Sequence, residues 1–314
     1  MTHPSIHLVE PGLPPLPYYV HLFLQAKSGK APKTILYYET ALYQFRAHAG
    51  GRWPPTPEAI DAFLLDCKQR GLKESSVDAY YKALKIFFAW LIKRGKLDHN
   101  PIDLAEKPPR PRLLPRAPRH AELEKFFDYL EAVADKGKGP WLDVRALALW
   151  SLALDTGLRV SELAALTIKD IFVEKGYRTA LVRSGKTHND RVVVFHKQTA
   201  KDVKRWLKAR ALLPLPPGLD SLFVARARGV WGGLTTWGMR QDLAEHCRRA
   251  GINHLTPHQF RSAYAVEAIR NGADLLDVQR QLGHSNISTT SRYLKVDDAG
   301  RSERHGSSSP RGRL

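Results

Sequence analysis

Apolar residues along the first hundred positions recur with the period of a helix. Thr56 predicts an N-cap and Pro57 the first helical position, after which Ile60, Phe63, Leu64 and Cys67 fall on one face before Gly71 closes the turn. Val77, Tyr80, Tyr81, Leu84, Phe87, Phe88 and Leu91 repeat the pattern up to Gly95, and weaker helical patterns cover Pro17–Ala26 and Pro32–Ala49. These predict an N-terminal segment, 1–16, followed by a four-helix lobe, 17–106. Its aromatic stripe is read as core rather than as a platform for stacked bases.

The pattern then breaks. Lys107–Arg119, KPPRPRLLPRAPR, holds five prolines and five basic residues and no acid, so it can neither continue a helix nor bury itself. It reads as an interdomain linker, 107–119. Beyond it, helical periodicity covers Ala121–Ala134 and Trp141–Leu154, and a short helix begins at Val160. Three Val-rich runs, Ile168–Val173, Arg178–Arg183 and Arg191–His196, are broken by Gly176 and Gly185 and predict a small antiparallel meander. Helices resume at Thr199–Leu212, Thr236–Ala250, Pro257–Asn271, Asp274–Leu282 and Ser288–Val296. The second lobe, 120–296, is therefore expected to be mainly α with a small antiparallel β-sheet. Residues 297–314 lack apolar periodicity and read as a flexible tail.

Charge narrows the class of partner. The 314 residues carry 49 Lys and Arg against 31 Asp and Glu, a net +18 that favours a phosphate polyanion or an anionic membrane. A membrane span needs about 20 apolar residues. The longest run dominated by them, Ala146–Leu154, is far shorter, so no membrane association is expected. Met1–Pro17 has no Lys or Arg and does not read as a signal peptide, which predicts a cytoplasmic protein. Cys67 and Cys247 stand far apart in different segments and predict neither a disulfide nor a cysteine-based metal site.

Three short segments carry candidate chemistry. In TGLRVSEL, Thr156–Leu163, Gly157 ends one helix and Arg159 sits where the next begins. A guanidinium at a helix N-terminus opposes the dipole and needs an anionic partner, and Glu162, one turn later, either supplies it or turns Arg159 toward a phosphate. In TPHQFRSAYA, Thr256–Ala265, Thr256 caps, Pro257 follows, and His258 and Arg261 lie three apart on one face. Two guanidiniums on one phosphate would serve both non-bridging oxygens, where charge builds during phosphoryl transfer. In QLGHSNISTTSRYLKV, Gln281–Val296, a glycine turn presents His284, and Tyr293 follows nine residues later as a possible nucleophile.

Together these segments resemble the tyrosine recombinases, the phage integrase family that includes the Xer recombinases. Arg159, then the pair His258 and Arg261, then His284 and Tyr293 match the family's ordered signature, and Lys186 in VRSGKTHNDRVVVF stands in the hairpin turn where the family has its lysine. The resemblance is strong over Ala121–Val296. It implies a two-domain, C-shaped DNA clamp: a helical core-binding domain followed by an α+β tyrosine-recombinase catalytic domain. It also implies a site-specific recombinase that works without metal, ATP or any other cofactor, on double-stranded DNA carrying a specific recombination site, as a homo-tetramer on paired sites. Tyr293 would attack the scissile phosphate to give a 3′-phosphotyrosyl link, Arg159 and Arg261 would hold the phosphate oxygens and His284 would add a donor. Lys186 would protonate the departing 5′-oxygen, His258 would assist proton transfer, and Glu162 would support Arg159 from behind. Two departures are visible. Ser262 follows Arg261 where many relatives have a second His, and Asp297–Leu314 lacks the apolar helix with which relatives often dock into a neighbouring subunit. The alternatives are a topoisomerase IB-like strand relaxer and a DNA-binding relative that has lost catalysis.

Overall fold

The computed structural model describes residues 16–50, 53–109, 117–135, 141–174, 176–183, 190–284, 286 and 290–291. The chain separates into two compact units between Leu113 and Leu114, a point that falls within the Pro-rich stretch. Residues 1–15 of the N-terminal segment, the middle of that stretch, Lys186, Tyr293 and the tail all lie outside the described residues, and of the helix expected at Ser288–Val296 only Thr290 and Ser291 are described.

The first unit contains α1 (Leu16–Ala26), α2 (Pro32–Ala49), α3 (Pro57–Gln69) and α4 (Glu74–Lys93). Thr56 caps α3 as its sequence position requires, its hydroxyl accepting from the Ala59 N–H at 3.3 Å. The aromatic stripe is indeed core. Phe23, Phe45, Phe63, Phe87 and Phe88 are fully buried and meet largely edge to face. Cys67 lies among them as a buried free thiol.

The second unit is built around α6 (Trp141–Thr156), whose apolar residues surround it because neighbours cover every side: α5 (His120–Asp135), α8 (Lys197–Ala211) and α10 (Pro257–Arg270) pack against it. The short α7 (Val160–Ala165) follows α6. Of the three Val-rich runs, the first opens with a 3₁₀ turn, Ile168–Asp170, leaving β1 (Ile171–Phe172) beside β2 (Thr179–Val182) and β3 (Arg191–Val194) in the antiparallel order β1-β2-β3. Strand β3 stops before His196, which instead caps α8, its Nδ1 accepting from the Gln198 N–H. A second sheet was not expected: β4 (Val224–Ala227) and β5 (Val230–Gly233) form a hairpin around Arg228 and Gly229, both with positive φ. Its strands lack the alternation that marks a strand. Helices α9 (Thr236–Ala250) and α11 (Leu275–Leu282) complete the described unit. Among the described residues no helix is long and apolar enough to cross a membrane.

A buried ion pair ties α6 to α9. Arg145 and Asp242 pair at 2.5 Å with both side chains almost wholly buried, Asp242 also accepts from Trp150 Nε1 at 3.0 Å, and Arg145 donates to the Val224 carbonyl at 2.8 Å. Removing one partner strands the other charge in a dry interior. Asp242→Ala is therefore expected to destabilise this unit by about 3 to 5 kcal/mol, read as a fall in thermal midpoint. An unchanged midpoint would show the pair to be dispensable.

Candidate active site

The first predicted segment turns on Gly157. Its φ is +61°, and a Cβ there would lie 2.6 Å from Leu282 Cδ2 and 2.8 Å from the Tyr264 ring, so only glycine lets the α6–α7 turn sit against α10 and α11. The turn places Arg159 at the N-cap of α7 with its guanidinium half exposed. Glu162 is the anionic partner that the sequence required. Its Oε2 accepts from the Arg159 N–H at 2.8 Å and its Oε1 from Arg159 Nη1 at 2.9 Å.

Glu162 also holds an arginine that was not foreseen. Arg191 on β3 donates Nη1 to Oε1 at 3.1 Å and Nη2 to Oε2 at 2.9 Å, while its Nε donates to the Gln281 carbonyl at 3.0 Å. Burial pushes the Glu162 carboxyl up, but the hydrogen bonds from Arg191 and the Arg159 backbone outweigh it and hold the pKa below the usual range. The missed signal was strand parity. Arg191 lies two residues before the buried Val193, hence on the inner face, and an inward-facing arginine demands a carboxylate. Its guanidinium fills the space where a Gly283 Cβ would stand, at 2.8 Å, which is why glycine at φ +63° precedes His284.

On α10, Thr256 accepts the capping role and Pro257 starts the helix, as read from the sequence. His258 and Arg261 then line one cleft of about 290 Å³ together with Arg159, Ser161, Thr256 and Arg240 of α9. Arg261 is buried and donates Nη1 to the Gly157 carbonyl and Nη2 to the Leu282 carbonyl, both at 2.7 Å. It thus joins the two turns that present Arg159 and His284. Ser262 beside it is buried in the core. A larger groove of about 630 Å³ between α5, α6, α8 and α10 excludes these residues, and its acids, among them Glu124, Asp128, Asp155 and Asp202, would repel phosphate.

His284 follows the C-cap of α11, half-buried, with Nδ1 2.8 Å from Thr290 Oγ1. Burial, then the charges of Arg261, Arg159 and Arg191, push its pKa down to about 4 against the weaker opposing effect of Glu162. Desolvation, then Arg261 and Arg159, lower that of His258 as well. A pKa of about 4 leaves the His284 imidazole neutral at pH 7. Because the folded pKa lies below the ordinary value near 6.5, the unfolded chain binds the proton more tightly, so stability is present above about pH 6.5 and is lost as pH falls toward 4. The thermal midpoint should therefore drop across that window less steeply in His284→Asn than in the unaltered chain. Identical slopes would show that His284 is not held neutral.

The structure thus brings Arg159, Glu162, His258, Arg261 and His284 together and adds Arg191 and Arg240. Lys186 and Tyr293 lie outside the described residues. Cys247 is a buried free thiol in α9, and among the described residues no group of three or more His, Cys, Asp or Glu side chains is placed to hold a metal ion.

Comparison with known proteins agrees with this geometry. The profile of the phage integrase family matches residues 119–299, and that of the phage integrase N-terminal SAM-like domain matches residues 19–95. The chain is 33% identical over 249 residues to tyrosine recombinase XerC of Haemophilus influenzae, covering 77% of each chain. It is 30% identical over 282 residues to tyrosine recombinase XerD of Listeria monocytogenes, covering 87% of this chain and 91% of that one. Its fold is similar to that of XerH site-specific recombinase in a post-cleavage complex with palindromic difH DNA, at a TM-score of 0.73 and 22% identity over 91% of this chain and 83% of that one. With the family profile covering most of the chain and the ordered arginine and histidine residues converging on one cleft, this protein belongs to the phage integrase family, the tyrosine recombinases.

Proposed function

We propose that this recombinase acts at a specific DNA site in integration, excision or resolution, with Tyr293 as nucleophile. The observation that carries the reading is the convergence of Arg159, His258 and Arg261 on one cleft, with His284 held among the same guanidiniums. Such a cleft suits a phosphodiester, whose two non-bridging oxygens gain charge as a fifth oxygen approaches phosphorus. In the forward step the Tyr293 oxygen bonds to phosphorus and its proton passes to the His258 imidazole, while the bond to the 5′-oxygen breaks. Lys186 gives that oxygen its proton, leaving a 3′-phosphotyrosyl link and a free 5′-hydroxyl. The reverse attack by a partner strand's hydroxyl completes exchange without net loss of bond energy, so no nucleotide cofactor is required. Arg159 and Arg261 hold the phosphate oxygens, His284 adds a donor, and Glu162 fixes Arg159 through the bonds described above.

DNA is the partner that the +18 charge suits. Exchange between two duplexes requires four active subunits, and a homo-tetramer on paired sites in the cytoplasm is the working assembly. The strand-relaxing and inactive alternatives are less well supported, since the relatives named above are recombinases.

The reading is tested on a nicked duplex carrying the cognate site, from which the short 5′-hydroxyl strand diffuses away and prevents religation. A denaturation-resistant protein–DNA adduct is expected with chelator present and no ATP. Absence of the adduct, or its dependence on added metal, overturns the mechanism.

A further inference from the structure

Thr290 is fully buried and stands three residues before Tyr293 in the sequence, and its hydroxyl meets the ring of His284 at Nδ1. A neutral imidazole has one N–H and one bare nitrogen, so the role that the hydroxyl takes at Nδ1 decides what Nε2 can offer. If the hydroxyl accepts from Nδ1, Nε2 is bare and repels an anionic oxygen. If it donates, Nε2 carries the proton. Phosphate oxygens only accept, so only the second arrangement makes the ring useful to a phosphodiester.

We propose that Thr290 is a positioning residue that donates its hydroxyl proton to Nδ1 of His284 and thereby holds the ring as the Nε2–H tautomer, the form that can donate to a phosphate oxygen. The inference rests on the phosphoryl-transfer reading above and assigns a role to a residue outside the six proposed to carry the reaction. The backbone of His284 is anchored separately: its N–H donates to the Gln279 carbonyl at 3.1 Å, and its carbonyl accepts from Gln279 Nε2 at 2.8 Å. Thr290 is therefore not needed to place the residue, only to direct its ring. With three guanidiniums supplying charge around it, what the imidazole adds is a donor in a fixed direction, and a ring that divides between tautomers or turns about its bond to Cβ loses that contribution.

Two substitutions separate the hydroxyl from the volume it occupies. Thr290→Val keeps the branched shape and removes the hydroxyl, whereas Thr290→Ser keeps the hydroxyl. The ¹⁵N resonances of the His284 ring in the free protein are expected to show a protonated Nε2 and a bare Nδ1 in the unaltered chain and in Thr290→Ser, and a mixture in Thr290→Val. On the nicked substrate, single-turnover cleavage is expected to slow about tenfold in Thr290→Val at unchanged DNA affinity, and to stay within about twofold in Thr290→Ser. A protonated Nδ1 in the unaltered chain, a Val variant that cleaves normally, or a Ser variant as slow as the Val variant each overturns the proposal. If the phosphoryl-transfer reading itself is wrong, no chain forms an adduct, and the ring resonances of the free protein still decide the tautomer.

Discussion

Tyr293→Phe is expected to abolish the covalent adduct on a nicked site while leaving DNA affinity and thermal midpoint unchanged. The substitution removes one oxygen and keeps the aromatic ring, so what is lost is the atom that bonds to phosphorus. Loss of a nucleophile elsewhere costs on the order of 10⁶ in rate, well below the detection limit of a gel assay. The cationic cleft is expected to remain, because Arg159 is held by Glu162 on α7, Arg261 by the Gly157 and Leu282 carbonyls, and His284 by the end of α11. DNA should therefore still bind. An adduct formed by Tyr293→Phe would place the nucleophile elsewhere and overturn the assignment based on the nine-residue interval from His284.

The second large effect belongs to Arg261, and the structure changes what should be expected of it. Seen as a phosphate ligand alone, its replacement would affect cleavage and nothing else. Yet its two Nη atoms also bridge the Gly157 and Leu282 carbonyls at 2.7 Å from a buried position. Arg261→Lys keeps the positive charge but replaces a planar fork of five N–H donors with one ammonium, which cannot reach both carbonyls and a phosphate together. Cleavage is expected to fall on the order of 10² to 10³. The thermal midpoint of the second unit should fall too, because leaving a buried acceptor without its donor costs about 1 to 3 kcal/mol, or about 2 to 4 °C per kcal/mol for a domain of this size. Cleavage measured well below the midpoint separates the two effects. A variant that cleaves normally while melting early would make Arg261 a purely structural clamp, and one that melts normally while cleaving slowly would show the carbonyl bonds to be energetically idle.

Much of the fold was legible because helices advertise themselves locally. The stripe Val77 to Leu91, the cap at Thr56 and the Pro257 start are short-range patterns, and every one of them is found in place. The β4–β5 hairpin was missed for the same reason: its strands carry Arg226, Gly232 and Gly233 where alternation should be, while the buried residues beside it, Leu222, Phe223 and Leu234, flank the strands, with the Leu234 N–H donating to the Phe223 carbonyl at 2.9 Å. The first Val-rich run was overextended because three of its residues close a 3₁₀ turn that Asp170 caps through Thr167.

The candidate site divides along the same line. By itself the sequence determined which residue types are present and in what order: Arg159, Lys186, His258, Arg261, His284 and Tyr293, with the charge that points to DNA. These are properties of the chain and survive without coordinates. Only the tertiary structure decided that Arg191 shares Glu162 with Arg159, that Arg261 ties the Gly157 turn to the end of α11, and that Thr290 meets the His284 ring. The first two of these join residues that are 29 and 104 positions apart. No periodicity encodes such pairs, because they arise only when a buried charge must find its counter-charge and a buried carbonyl its donor after the core has closed.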